Sequence, residues 1–251
     1  MYMYKLLPIF MFIITAHHVS AQPKTLYDKE RARTIPIIIS EPVNASVQCT
    51  NKSKCSVAFI SAGYGVPHNN YTFISELLNN RGYLSIAIRH ELKTDPPLSI
   101  TGNLYQTRLV NWQRGVKTLK FVKKALEKQL TSYDFNNLLL VGHSNGGDIS
   151  ALLANESPSY VKELITLDHR RVSLPRSKTI KVLSIRASDF SADPGVLPSN
   201  IEQKQYPSCV IKIDEAQHND MSDSGPLWLK NRISNIIINQ LTSSSCDASD
   251  T

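Results

Sequence analysis

The chain has 251 residues, of which 41% are hydrophobic, 8% aromatic and 20% charged. This composition fits one medium-sized globular domain and excludes collagen-like, coiled-coil and wholly disordered proteins. Twenty-eight Lys and Arg residues against 21 Asp and Glu residues give a formal net charge of +7. That charge is compatible with an anionic partner but does not identify one.

The first 21 residues have the pattern of a secretory signal peptide. The apolar run from Leu6 to Ala16 is much shorter than the ~20 residues needed to span a bilayer. Val19 and Ala21 place small residues at the cleavage positions, so the mature chain is expected to begin at Gln22. An uncleaved anchor is the alternative, which the short run and Pro8 disfavour. We therefore expect a secreted or periplasmic protein with no membrane span after cleavage.

The rest of the chain alternates between strand and helix patterns. Apolar residues at helical spacing from Leu109 to Leu130 predict a helix with one face on a sheet. No repeat or long linker interrupts residues 22–251, which predicts one α/β domain with a mostly parallel sheet, no large cap domain and ligands at the strands' carboxyl ends. Seven short apolar runs predict the strands: Thr34 to Ile39, Val57 to Ile60, Tyr83 to Ile88, Leu138 to Val141, Leu164 to Leu167, Ile180 to Ile185 and Val210 to Ile213.

Much of the positive charge lies on the predicted helix, where one aromatic residue, Phe121, falls among the lysines. A solvated helix face explains this pattern better than a nucleic-acid platform, so we expect no nucleic-acid partner. The lysines are Lys117, Lys120, Lys123, Lys124 and Lys128.

The run Leu138 to Val141 leads into Gly142-His143-Ser144-Asn145-Gly146 and a predicted helix. A sharp turn that lifts Ser144 above the sheet crowds the residues two before and two after it, so both must be very small, and Gly142 and Gly146 meet that requirement. In this strand–turn–helix context Ser144 is the candidate nucleophile. The amide of Asn145 is then a candidate oxyanion donor.

A serine nucleophile needs a histidine base that is oriented by a carboxylate, in the chain order Ser, acid, His. His218 follows the last predicted strand and is the candidate base, whereas His169 follows the wrong strand. For the acid we prefer Asp189, with Asp168 and then Asp193 as alternatives, because order alone does not decide among them. The two that are not the acid should cap a loop or pair with an arginine, namely Arg170, Arg171 or Arg186.

The second oxyanion donor is expected in the loop after an early central strand. Gly63 permits close backbone approach there, which makes the amide of Tyr64 the candidate. A tight turn with no catalytic role for Gly63 and Gly65 is the alternative.

These residues together resemble the α/β-hydrolases, and more narrowly the branch with platelet-activating-factor acetylhydrolases and dienelactone-hydrolase-like and polyester-hydrolase-like esterases. The resemblance implies an acid at Asp168 if the acetylhydrolases are followed and at Asp189 if the polyester hydrolases are followed. Ser144, where dienelactone hydrolases have Cys, implies ordinary ester cleavage. The matching stretches are Arg33 to Pro36, Gly63 to Gly65, Arg81 to Tyr83, Arg89-His90, Gly142 to Gly147, Leu167-Asp168 and His218.

The four cysteines allow three pairings. Sequence proximity favours Cys49 with Cys55 and Cys209 with Cys246, and export favours their oxidation. No Cys or His pattern has zinc spacing, so neither a metal nor another cofactor is expected.

The sequence thus predicts an exported serine hydrolase of the carboxylesterase or lipase type that cleaves small-molecule or lipid-like esters through an acyl-enzyme. Three alternatives remain open: a catalytically silent binding protein with this fold, an acyltransferase with the same triad, and a basic protein that binds an anionic membrane.

Overall fold

The computed structural model describes residues 21–242. Cys246 and the predicted signal peptide, apart from Ala21, lie outside the described residues. The strands are β1 (Ala21–Asp28), β2 (Arg33–Ser40), β3 (Cys55–Ser61), β4 (Leu84–Ile88), β5 (Tyr133–His143), β6 (Val161–Leu167), β7 (Lys181–Arg186) and β8 (Ser208–Lys212). The helices are α1 (Ala45–Gln48), α2 (Thr72–Asn80), α3 (Leu104–Leu126), α4 (Asn145–Asn155), α5 (Asn200–Gln205) and α6 (Leu227–Thr242), with a 3-10 turn at His218–Asp220.

The eight strands form one sheet in the order β1-β2-β4-β3-β5-β6-β7-β8. β2 pairs antiparallel with β1 and β4, and every other neighbouring pair is parallel. The predicted mostly parallel α/β sheet is therefore confirmed. Parallel pairing gathers the carboxyl ends of β3, β5, β6, β7 and β8 along one edge of the sheet.

Side chains alternate across the sheet because successive residues of a strand point to opposite faces. In β5, Leu138 and Leu140 pack into the cluster on one face, and Leu139 and Val141 pack into the cluster on the other. The first cluster includes the buried apolar stripe of α3, which runs from Trp112 to Leu126. The second includes the buried apolar residues of α2 and α6. Both faces of the central strands are thus covered, which explains why these strands are apolar throughout.

The disulfide predicted between Cys49 and Cys55 is present. It closes the segment between α1 and β3. Cys209, at the start of β8, is also disulfide-bonded, and its predicted partner Cys246 lies outside the described residues. Among residues 21–242, no helix has the length and hydropathy needed to cross a membrane.

Candidate active site

Ser144 occupies the sharp turn between β5 and α4, as the sequence pattern predicts. Its backbone has φ 51° and ψ −120°, a conformation that is costly for any residue except glycine and that persists only where its surroundings enforce it. The Ser144 N–H donates to the carbonyl of Leu167 at 2.9 Å, which ties the turn to the end of β6. The turn leaves Ser144 partly exposed between buried neighbours.

The glycines on either side of Ser144 have no room for a side chain. A Cβ atom at Gly142 would lie 2.4 Å from the carbonyl oxygen of Gly146, and one at Gly146 would lie 2.2 Å from that of Ser61. Both contacts are with backbone, which cannot move aside as a flexible side chain could. Steric exclusion thus accounts for the glycines at these two positions.

His218 lies in the 3-10 turn that follows β8 and contacts both Ser144 and a carboxylate. Its Nε2 atom is 2.9 Å from the Ser144 Oγ atom, and its Nδ1 atom is 2.5 Å from Asp168 Oδ2. Asp168 is fully buried and His218 is nearly so. The three side chains form a continuous hydrogen-bonded chain from the buried carboxylate to the partly exposed hydroxyl.

Asp168 is held by groups that favour its ionised form. Its Oδ1 atom pairs with Arg186 at 2.6 Å and accepts the N–H of Ala187 at 3.1 Å. Burial alone would raise the pKa of Asp168, but the hydrogen bond from His218 and the charge of Arg186 outweigh it and hold the pKa below its usual value. The carboxylate facing His218 is therefore negatively charged at neutral pH.

Asp189, the acid preferred from the sequence, does not contact the His218 ring. Both of its carboxylate oxygens accept the backbone N–H of His218, at 2.9 and 3.0 Å. The two carboxylates differ in position: Asp168 directly follows β6 and has a φ of 46°, whereas Asp189 lies in the loop after β7. Asp193 forms an ion pair with Arg171. The carboxylate that contacts the His218 ring is therefore that of Asp168, the alternative acid. Asp189 caps the loop of His218 and Asp193 pairs with an arginine, as expected for aspartates that are not the acid.

The loop after β3 passes directly beside the turn that carries Ser144. A Cβ atom at Gly63 would lie 3.4 Å from Ser144 Cβ and 2.9 Å from His143 Nδ1, so only glycine allows this approach. The amide of Tyr64 follows, and that N–H has no acceptor within residues 21–242. Asn145 is the first residue of α4, so its N–H lacks an intrahelical acceptor. The Tyr64 ring is 42% exposed, and its hydroxyl accepts the N–H of Leu98 at 3.1 Å.

Two buried side chains that the sequence analysis did not single out join the site together. The Tyr71 hydroxyl accepts the N–H of Gly63 at 3.0 Å and lies 2.7 Å from His143 Nδ1. The other ring nitrogen of His143 lies 3.0 Å from the carbonyl oxygen of His218. Because a carbonyl only accepts, Nε2 of His143 carries the proton and Nδ1 accepts from Tyr71. Burial, together with the charge of His218, lowers the pKa of His143 to about 3, so the ring is neutral. No sequence pattern marks this chain of contacts.

The Asn145 side chain is fixed on the far side of the turn. Its Oδ1 atom accepts from the Trp112 indole at 2.8 Å, and its Nδ2 atom donates to Glu91 and to Asn111, each at 2.9 Å. Burial raises the pKa of Glu91 to about 7. These contacts hold the start of α4 and its free amide against α3.

His169, the weaker candidate base, is fully buried and contacts the carbonyl of Val172 with its Nε2 atom at 3.1 Å. It does not contact Ser144.

Within the described part of the chain, no three His, Cys, Asp or Glu side chains are grouped as ligands for a metal ion.

Neither the comparison with protein-family models nor that with curated protein sequences gives a match. Solved structures do match. An α/β serine hydrolase homologue from Coxiella burnetii aligns with a TM-score of 0.56 and 14% identity, covering 90% of this chain and all of the other. A ferulic acid esterase from Streptomyces cinnamoneus gives a TM-score of 0.58 and 17% identity over 84% of this chain and 77% of its own.

An esterase from Thermogutta terrifontis, solved with butyrate bound, aligns with a TM-score of 0.64 and 11% identity over 92% of this chain and 96% of its own. Identities this low establish the fold, while the narrower branch inferred from the sequence remains a prediction. The chain has the fold of the α/β-hydrolases, and its structural neighbours are serine hydrolases and esterases.

Proposed function

We propose that the protein is an exported serine esterase in which Ser144 is the nucleophile, His218 the base and Asp168 the acid. The observation that carries the proposal is the unbroken chain of contacts from Asp168 through His218 to Ser144, at 2.5 and 2.9 Å. A serine hydroxyl hydrogen-bonded to a histidine that is itself oriented by a carboxylate is the arrangement that activates serine for acyl transfer.

In the first half of the reaction the Ser144 Oγ atom attacks the ester carbonyl carbon while its proton passes to His218 Nε2. The negative charge that develops on the carbonyl oxygen is stabilised by the amides of Tyr64 and Asn145. Collapse of the tetrahedral intermediate breaks the bond to the alcohol oxygen, which takes the proton from His218. An acyl-Ser144 enzyme remains.

In the second half, water attacks the acyl carbonyl and gives its proton to His218, which returns a proton to Ser144 as the carboxylic acid leaves. An alcohol in place of water would give acyl transfer with the same residues. Asp168 keeps the Nδ1 proton of His218 facing it throughout and offsets the positive charge of the imidazolium.

The test is to treat the purified mature protein with a fluorophosphonate and to locate the adduct by mass spectrometry. A parallel assay measures hydrolysis of p-nitrophenyl esters from acetate to dodecanoate. We expect the adduct on Ser144, turnover that depends on acyl length, and loss of both in Ser144→Ala. Folded protein that neither reacts nor turns over would support the silent binding protein instead.

Adding an alcohol to the same assay separates the two enzyme classes. A hydrolase releases free acid at a rate set by water, whereas an acyltransferase forms mainly the new ester. We expect free acid as the main product.

Export is part of this proposal and has its own support. The described residues contain the Cys49–Cys55 disulfide, which suits an oxidising compartment. Expression of the full chain in a secreting host, followed by N-terminal sequencing, should give Gln22 as the first residue. A product that retains residue 1 would contradict signal cleavage.

A further inference from the structure

Arg170 lies over the aromatic ring of Phe190, which packs beside the candidate base His218. The Arg170 guanidinium carbon lies 4.4 Å from the centre of the Phe190 ring. The edge of that ring in turn meets the His218 imidazole, with ring centres 5.7 Å apart and planes at 85°. We propose that Arg170 forms a subsite for an anionic group of the substrate, so that the preferred esters carry a carboxylate or phosphate near the scissile bond. The inference rests on the proposed esterase function and narrows its substrate class.

Arg170 differs from its neighbours in having no carboxylate partner. Arg171 pairs with Asp193, and Arg186 pairs with Asp168. Within residues 21–242 the guanidinium of Arg170 forms no hydrogen bond or ion pair, and it lies over the face of the Phe190 ring. Arginine keeps its charge at every relevant pH and offers five N–H donors in a planar fork that suits carboxylate and phosphate oxygens. Those donors remain available to a ligand.

The backbone of Arg170 and of the two residues after it is anchored, so the side chain extends from a fixed position. The buried carboxylate of Asp148, in α4, accepts the N–H groups of Arg171 and Val172 at 2.9 Å each. The carbonyl of Arg170 accepts the N–H of Asp193 at 2.9 Å. A charged group that is already in place before binding loses less entropy when the ligand arrives.

A second cation approaches from α3. The Arg108 Nε atom donates to the carbonyl of Ser99 at 2.8 Å, and the side chain pairs with no carboxylate within the described residues. Burial lowers the pKa of Arg108, and the positive charges of Arg171 and Arg170 lower it further, while the carboxylates of Asp148 and Asp193 oppose the shift. Arg170 and Arg108 repel each other, and a bound anion would relieve that repulsion. Arg108 therefore strengthens the case for an anionic ligand at Arg170.

The test compares pairs of esters that differ only in charge. One pair places the charge on the acyl side, as mono-p-nitrophenyl adipate against p-nitrophenyl hexanoate. The other places it on the alcohol side, as 4-acetoxybenzoate against 4-acetoxybenzamide. The quantity measured is the ratio of kcat/KM for the anionic ester to that for its neutral partner, in the parent protein, Arg170→Gln and Arg170→Lys.

We expect the parent to favour the anionic ester of at least one pair, and Arg170→Gln to lower that ratio by about tenfold or more, the effect of losing a charge-assisted hydrogen bond. Arg170→Lys should restore part of the ratio, since it keeps the charge and loses the fork. Lys162→Gln is the matched control, because it removes one positive charge at the opposite end of β6.

Three results would count against the subsite. A ratio unchanged by Arg170→Gln in both pairs would overturn it while leaving the esterase proposal intact. An equal fall in Lys162→Gln would assign the preference to the overall charge of the protein and overturn the local subsite. Absence of turnover on all four esters would overturn the proposed function, and this inference with it.

Discussion

The Tyr71 hydroxyl lies 2.7 Å from Nδ1 of His143. This contact connects the loop after β3, here called the oxyanion loop because it carries the proposed donor Tyr64, to the backbone of the candidate base. On one side Tyr71 accepts the N–H of Gly63, and on the other His143 donates to the carbonyl of His218. His143 also directly precedes Ser144, the candidate nucleophile, at the end of β5. The loop that carries Tyr64 and the turn that carries His218 are thus held at fixed positions relative to one serine.

Tyr71→Phe should break the connection between the loop that carries Tyr64 and the turn that carries His218. The substitution leaves the Gly63 N–H and His143 Nδ1 buried without partners, which costs roughly 1–3 kcal/mol for each group left unpaired. The oxyanion loop then loses its anchor, so kcat should fall by up to about 10²-fold, the lower end of the effect of losing an oxyanion donor. Steady-state kinetics on a short p-nitrophenyl ester and urea denaturation measure the two effects.

Tyr83→Phe is the control for Tyr71→Phe, because it removes a partly buried hydroxyl that has no hydrogen-bond partner within residues 21–242. It should leave kcat unchanged.

Nitrogen chemical shifts of His143 should show a protonated Nε2 in the parent protein. A Tyr71→Phe protein with parental kcat would show that the contact has no part in catalysis.

Asp168→Asn and Asp189→Asn separate the two candidate acids. Asn at 168 removes the charge that faces His218 Nδ1 and permits the wrong ring tautomer, which should lower kcat by about 10⁴-fold. Asn at 189 keeps one oxygen that accepts the backbone N–H of His218, so we expect less than about a tenfold loss. A pH–rate profile of each variant, alongside fluorophosphonate labelling, measures the difference. The reverse order of effects would return the catalytic role to Asp189.

The sequence predicted the sheet well wherever burial dictates composition. Each of the seven predicted strands overlaps an observed one, because strands covered on both faces must be apolar throughout. β1 was not predicted, since its sequence AQPKTLYD buries only Leu26 and Asp28 and carries no continuous apolar run. α3 begins at Leu104 rather than Leu109, because Asn103 caps it by accepting the N–H of Gln106.

The sequence predicted those residues of the candidate site whose positions depend on local sequence constraints. Ser144 follows from two glycines that backbone contacts exclude from substitution, and His218 follows from its place after the last strand. The acid was not decided by order, because Asp168 and Asp189 follow neighbouring parallel strands and reach the same edge of the sheet. Which carboxylate meets the His218 ring depends on a φ of 46° at Asp168, which the sequence does not reveal. The contacts of Tyr71 and Arg170 join segments that are distant in the sequence, so no local pattern marks them.

Gly146→Ala tests the steric origin of the turn around Ser144. The added methyl group would lie 2.2 Å from the Ser61 carbonyl oxygen, so either the turn or β3 must move. We expect loss of fluorophosphonate labelling together with a lower melting temperature. Gly82→Ala is the control, because its Cβ meets open space and only the φ of 83° is unfavourable. It should cost about 1 kcal/mol of stability and keep activity. Full labelling of Gly146→Ala would contradict the steric argument.

Asp148 should make the stability of the protein depend on pH. Burial raises its pKa to about 6, despite the two backbone hydrogen bonds that lower it, whereas the unfolded carboxyl titrates near about 3.9. Between these values the native state binds more protons, so this group's contribution to the free energy of unfolding falls as pH rises from about 4 to about 7. A difference of about two pKa units corresponds to roughly 3 kcal/mol.

Asp148→Asn should remove this dependence, since the Asn Oδ1 atom can still accept the N–H groups of Arg171 and Val172, which both donate to Oδ1 in the parent. Relative to the parent, the variant should therefore gain stability as pH rises through about 6, by up to roughly 3 kcal/mol. Urea denaturation of both proteins from pH 4.5 to 8 measures the gain, with the exposed Asp214→Asn as the control. A parent–variant difference that stays constant across that range would mean that Asp148 is ionised throughout, and that Arg171 and the backbone amides fully compensate for its burial.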